Sequence, residues 1–149
     1  MDNWLFFSAI GTLVLAAAAF VTVYQNYRNR RDDRVLVHKL QSLEEIRNWA
    51  HETLLLMFSA YTPNEDEKRK VKALFPIQSL AGASILVAAG ILGKEMVEKV
   101  NATQEPIHKF ELALWDEDAL RDKTTRLELQ RSLCELLKVV YSRKIELLP

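Results

Sequence analysis

The chain of 149 residues contains a single cysteine, Cys134, so an intramolecular disulfide is excluded and a reducing compartment fits. Glycine and proline number four each. No Gly-rich phosphate loop, nucleophile elbow or zinc-spaced Cys/His set occurs, which removes the signatures of nucleotide hydrolysis, serine hydrolysis and structural zinc. An excess of one charge is missing too: 20 Lys plus Arg cancel 20 Asp plus Glu. A general nucleic-acid surface and an acidic tail are therefore not implied. Strand-like alternation, a fixed-period repeat and low-complexity tracts beyond Ala16 to Ala19 are also lacking, so neither a solenoid nor a disordered domain is indicated.

What the chain does have is an uncharged run of 20 residues from Trp4 to Val23. As a helix it measures roughly 30 Å, the hydrocarbon thickness of a bilayer. Ten Leu, Ile, Val and Phe side chains between Leu5 and Val23 favour insertion by roughly 0.3 to 0.6 kcal/mol each, against small penalties from Ser8, Gly11, Thr12 and Thr22. The run is too long, and its start too poor in bases, for a cleaved signal sequence, although the alanines resemble a cleavage site. Tyr24, Tyr27, Arg28, Arg30, Arg31 and Arg34 follow at once. With Trp4 they form the expected membrane interface, and by the positive-inside rule they keep the following chain in the cytoplasm. Each arginine adds on the order of 1 kcal/mol of attraction to anionic lipid, partly offset by Asp32 and Asp33. Within the anchor, Ser8, Gly11, Thr12, Ala19 and Thr22 share about 100° of arc. This small-residue strip would let a second helix approach closely.

The sequence therefore predicts residues 1–3 as a short extracytoplasmic N-terminus, 4–24 as a transmembrane helix, 25–34 as a basic juxtamembrane segment and 35–149 as a cytoplasmic helical domain. Leu36, Leu40, Leu43, Ile46, Ala50, Leu54, Met57 and Tyr61 recur at spacings of three and four, the stripe of an amphipathic helix that could continue from the anchor. Thr62, Pro63 and Glu65 have the order of an N-cap, first turn and capping glutamate for the next helix, with Glu65, Asp66 and Glu67 near its positive end.

Pro76 then interrupts the pattern, and residues 73–93 carry no charge. Gln78, Ser79, Gly82, Ala89, Gly90 and Gly93 share one side of a helix, with Leu86 the exception, while Leu80, Ile85, Val87, Ile91 and Leu92 fill the other. This describes a lopsided core helix, with a second span or interfacial helix as the alternative. The helix is expected to continue through Met96, Val97 and Val100, to give way to a connection at 101–106, and to resume near Ile107 with Phe110, Ala113 and Leu114. A final helix carries Leu127, Leu133, Leu136, Leu137, Val140 and Tyr141. The predicted fold is all-α: one N-terminal transmembrane helix followed by a small antiparallel bundle of three to four helices.

Candidate chemistry is sparse. Glu105-Pro106-Ile107-His108 has the Glu-x-x-His spacing of di-iron bundles, but such a site needs two pairs, and Pro106 suggests a helix start. His38 and His51 are expected on a helix surface, and Cys134 as a buried small hydrophobe beside Leu133, Leu136 and Leu137. Asp116, Asp118 and Asp122 lack the glycine turn and terminal glutamate of a calcium loop and read as helix-start acids. No catalytic residue, cofactor, metal, nucleic acid or small-molecule substrate is expected. The expected partners are the lipid bilayer and either another protein or a second copy of the chain. The function expected is a non-catalytic, membrane-tethered interaction or scaffold module at the inner (plasma) membrane. A membrane-active effector or assembly subunit, and a signalling part or an enzyme with a cryptic pocket around Glu105 and His108, are the alternatives.

Overall fold

The computed structural model describes residues 3–62 and 64–147, with side chains from residue 18 onward except that of residue 117. Among these residues every element is a helix: α1 (Asn3–Ser59), α2 (Glu65–Leu92), α3 (Lys94–Ala113), the single-turn α4 (Glu117–Arg121) and α5 (Lys123–Leu147). The chain divides into two compact units at Val37 and His38, and α1 contributes to both.

In the first unit only the α1 helix is present. Phe20, Val21, Val23, Tyr24 and Tyr27 are exposed along it. Ala19, Thr22, Arg28, Arg30, Arg31 and Arg34 are exposed as well, and Thr22 Oγ1 donates to the Ala18 carbonyl at 2.9 Å. The side chains of Trp4, Ser8, Gly11 and Thr12 lie outside the described residues.

The second unit is a four-helix bundle built from the end of α1 with α2, α3 and α5. Cross-links between neighbours fix its up-down-up-down order. Trp49 on α1 bonds Gln78 on α2, and Gly82 on α2 lies against Gln104 on α3. Lys109 and Arg143 pair Glu128 and Glu95 across α3 and α5. Lys144 and Tyr141 on α5 return to Glu44 and His51 on α1. Between α2 and α3 (Phe75 with Phe110, Gly82 with Gln104), α3 and α5, and α5 and α1, one residue number rises as the other falls, so these seams are antiparallel. It follows that α1 runs antiparallel to α2 as well, as short connections between helices favour.

The α1 stripe read from the sequence is the buried stripe: Leu43, Ile46, Ala50 and Met57 are fully enclosed. Phe75 of α2 and Phe110 of α3 meet with ring centroids 5.0 Å apart, in a core that also contains Ile107, Leu129, Leu133 and Leu136. Burial of such side chains contributes roughly 1.5 to 3 kcal/mol each and is the main force holding the bundle together.

Several boundaries differ from the sequence reading. The cap of α2 is Asn64, whose side chain accepts from Asp66 N at 3.0 Å. Thr62 instead hydrogen-bonds the Glu67 carboxylate, and Pro63 lies outside the described residues. Pro76 stays inside α2. The expected helix through Val100 ends at Gly93, whose φ of 108° is open to glycine and strained for other residues. The expected connection at 101–106 is helical, with Pro106 well inside α3. Proline leaves the carbonyl four residues earlier without its partner, and Ser132 Oγ of α5 donates to that Ala102 carbonyl at 3.3 Å. Cys134 is only partly buried.

The largest difference concerns which side of α2 faces inward. Gly82, Ile85, Ala88 and Ala89 are buried, while Leu80, Val87 and Ile91, assigned from the sequence to the core side, face outward. At Gly82 the space a side chain would fill is taken by the Gln104 side-chain amide of α3, which a Cβ there would meet at 2.8 Å.

Candidate functional site

The outward face of α2 is the most unusual surface of the bundle. Leu74, Ile77, Leu80, Val87 and Ile91 are 48%, 64%, 78%, 72% and 51% exposed. Their spacing places them along one side of the helix, with Ser84 between Leu80 and Val87. No charged residue occurs from Ala73 to Gly93. Elsewhere the outer surfaces of the bundle are laced with ion pairs, including Lys109 with Glu105 and Arg143 with Glu146. Scattered exposed apolar residues are ordinary, but a contiguous row of this size marks a contact surface.

Two polar side chains of this stretch, Gln78 and Ser84, are already committed. Ser84 Oγ donates to the Ala81 carbonyl at 2.7 Å. Gln78 Nε2 donates to the Trp49 carbonyl at 3.0 Å, and Trp49 Nε1 donates to the Gln78 carbonyl at 3.0 Å. Removing the face from water would thus leave neither the Ser84 hydroxyl nor the Trp49 indole unpaired, which avoids the main cost of a dry interface. Beside it, a shallow groove between α1 and α2 brings Glu45 and Glu52 of α1 alongside Ala81 and Ser84.

α2 is also, among the described residues, the helix long and apolar enough to cross a membrane. In the bundle its inner side is occupied by α1 and α3.

A second concavity lies at the end of the bundle where α1 turns into α2. About 340 Å³ in volume, it has a floor of Ala60, Leu114 and Leu120 and a rim of Lys68, Lys72 and Arg121. Lys68 is committed to Glu65 at 2.6 Å, and Lys72 stands 5.7 Å from the exposed Trp115 ring. Arg126 stacks over Tyr61 and Phe58 at 5.0 and 5.6 Å. The Tyr61 hydroxyl is enclosed without a hydrogen-bond partner, and burial pushes its pKa up, so it stays a neutral phenol. The lining also includes the Thr62 hydroxyl, which donates to the Glu67 carboxylate, and the Glu65 carboxylate paired with Lys68.

The motifs singled out from the sequence lie elsewhere. Glu105 is salt-bridged to Lys109 at 2.9 Å, and His108 is exposed on α3, so the Glu-x-x-His spacing falls mid-helix on a solvated side. No group of three His, Cys, Asp or Glu side chains is gathered in metal-holding geometry among the described residues. Asp116 caps α4 through Asp118 N and Ala119 N, and Asp122 accepts from Thr124 N, which holds its carboxyl below the usual range. His51 Nε2 is 3.1 Å from the Tyr141 hydroxyl on the surface, and His38 is exposed. Sequence periodicity missed the α2 outer face because it assigned that face to the core. The missing charge from Ala73 to Gly93 was the signal that pointed to it.

No protein-family model, characterised protein or solved structure matches this chain.

Proposed function

We propose that this protein is a membrane-tethered helical interaction module without catalytic activity of its own. Residues 4–24 cross the inner membrane, the arginines from Arg28 to Arg34 hold the following chain on the cytoplasmic side, and the bundle presents the outer face of α2 to a protein partner. The observation that carries this reading is the row from Leu74 to Ile91: exposed, uncharged and free of unpaired polar groups at Ser84 and Trp49. The tether is supported by the 20-residue uncharged run and the basic cluster that follows it.

A second reading has α2 acting on the bilayer itself, as a span or interfacial helix. Its length and apolarity favour this. Entry into the membrane would require α2 to leave the core that Phe75, Ile85 and Ala89 complete.

The experiment is carbonate extraction of native membranes combined with protease treatment of sealed vesicles. Retention in the carbonate pellet, with residues 38–149 digested only from the cytoplasmic side, supports the tethered module. Release by carbonate overturns the tether. Protection of the C-terminal third from cytoplasmic protease places α2 across the bilayer and overturns the single-span arrangement.

A further inference from the structure

We infer that the partner of the α2 outer face is a second copy of this chain, docked through a two-fold crossing of α2 on α2 centred near Ser84. The identification of the partner rests on the interaction-module reading above.

The shape of the row suits a helix crossing. Its middle carries small side chains, Ala83 and Ser84, flanked by Leu80 and Val87, with Leu74, Ile77 and Ile91 toward the ends. Small residues at the crossing point let two backbones approach, and the branched side chains on either side fill the widening space. A two-fold contact sets one surface against itself, so any charge within it faces its own like. Between Lys72 and Lys94 there is none, and Ser84, which would be buried at the crossing, already has its hydroxyl satisfied by Ala81.

Area points the same way. At the observed exposures the five branched side chains present roughly 600 Å² of apolar surface. A two-fold pair that covered these side chains completely would bury at most about 1,200 Å² from them, the lower end of the range for specific interfaces. A membrane surface fits less well. Interfacial helices border their apolar face along its length with bases that meet anionic headgroups, whereas here Lys72 and Lys94 stand only at the two ends of the uncharged stretch and the strip of α1 alongside it supplies Glu45 and Glu52.

The test uses the full-length chain reconstituted in bilayer nanodiscs that hold two copies, in a Cys134→Ser background. Ser84→Cys should cross-link with a short bis-maleimide into a covalent dimer. A cysteine at Glu135, exposed on α5, serves as the reference for chance encounters. The Ser84 position should exceed that reference at least ten-fold. Adding Leu80→Glu and Val87→Glu, which alter only exposed side chains, should remove that excess while circular dichroism stays unchanged. Cross-linking at Ser84 no better than at Glu135, or undiminished by the two glutamates, overturns the inference. So does quenching of a fluorophore at Ser84→Cys by brominated lipid, which would put the face against the bilayer.

Carbonate extraction of the same variants keeps the two readings apart. A chain that extracts yet still cross-links through Ser84 retains the self-association and loses the tether. A chain held in the membrane without the cross-link does the reverse.

Discussion

Trp49 and Gln78 hold each other twice: the indole Nε1 donates to the Gln78 carbonyl and the Gln78 amide donates to the Trp49 carbonyl, both at 3.0 Å. The Trp49 carbonyl also accepts from Thr53 Oγ1 at 2.7 Å, so a polar knot sits in the α1–α2 seam just beneath the exposed face. This knot fixes the register in which α2 turns its small side inward.

Each bond of the pair should contribute about 1 kcal/mol, with a coupling of similar size because both span the same two residues. Trp49→Phe, Gln78→Ala and the double variant form the cycle, read by chemical denaturation. Additive losses would mean that the two bonds act independently and do not set the seam.

Gly90 and Gly93 should respond oppositely to alanine. A Cβ on Gly90 would meet nothing within 4 Å, and the residue is helical and exposed, so Gly90→Ala should stabilise by about 0.5 to 1 kcal/mol. Gly93 has φ 108° and ψ 176°, a region nearly restricted to glycine, so Gly93→Ala should destabilise by about 1 to 3 kcal/mol. Thermal melts of both variants check the signs.

Ser132 and Pro106 should be coupled through the Ala102 carbonyl, which lacks its helical partner because of the proline and takes the Ser132 hydroxyl instead. Ser132→Ala should cost about 0.5 to 1 kcal/mol in the native chain. In a Pro106→Ala background, where the alanine N–H reaches Ala102, the same change should cost markedly less. Equal costs in the two backgrounds would show that the serine does not replace that partner.

Acid should weaken the α1–α5 seam. Lys144, through its hydrogen bond to the Glu44 carboxylate, and then Arg47 hold that carboxyl below the usual glutamate range. A carboxyl with a depressed folded pKa contributes its stability above the ordinary value, about 4.3, and loses it as pH falls through the depressed value. Glu44→Gln should therefore lower the melting temperature at pH 7, with the gap to the native chain closing below about pH 4. Both side chains are about one-third exposed, so the gap should also narrow in high salt.

Much of the architecture was legible from periodicity. The α1 stripe from Leu43 to Met57 and, in α5, Leu133, Leu136, Leu137 and Val140 point inward as their spacing predicts, while Leu127 and Tyr141 of the same α5 row are exposed. Local signals failed where they conflicted. Pro76 and Pro106 read as breaks, yet bundle packing carries both helices through them, while Gly93 makes the turn between α2 and α3. The stretch from Asn101 to Glu105 looked like a loop because it is polar. It is helical because Thr103 is buried and Ile107 and Phe110 lie one and two turns further on in the core.

By itself, the sequence determined that this is an all-helical chain with a membrane-length apolar run at its start and a second uncharged stretch in its middle, because residue spacing and missing charge are properties of the chain alone. Tertiary structure decided which side of α2 is buried and which remains available. The reason is steric: one side of α2 must face its neighbours, and with Phe75, Gly82, Ile85, Ala88 and Ala89 on that side, Leu80, Val87 and Ile91 point outward, where a partner can reach them.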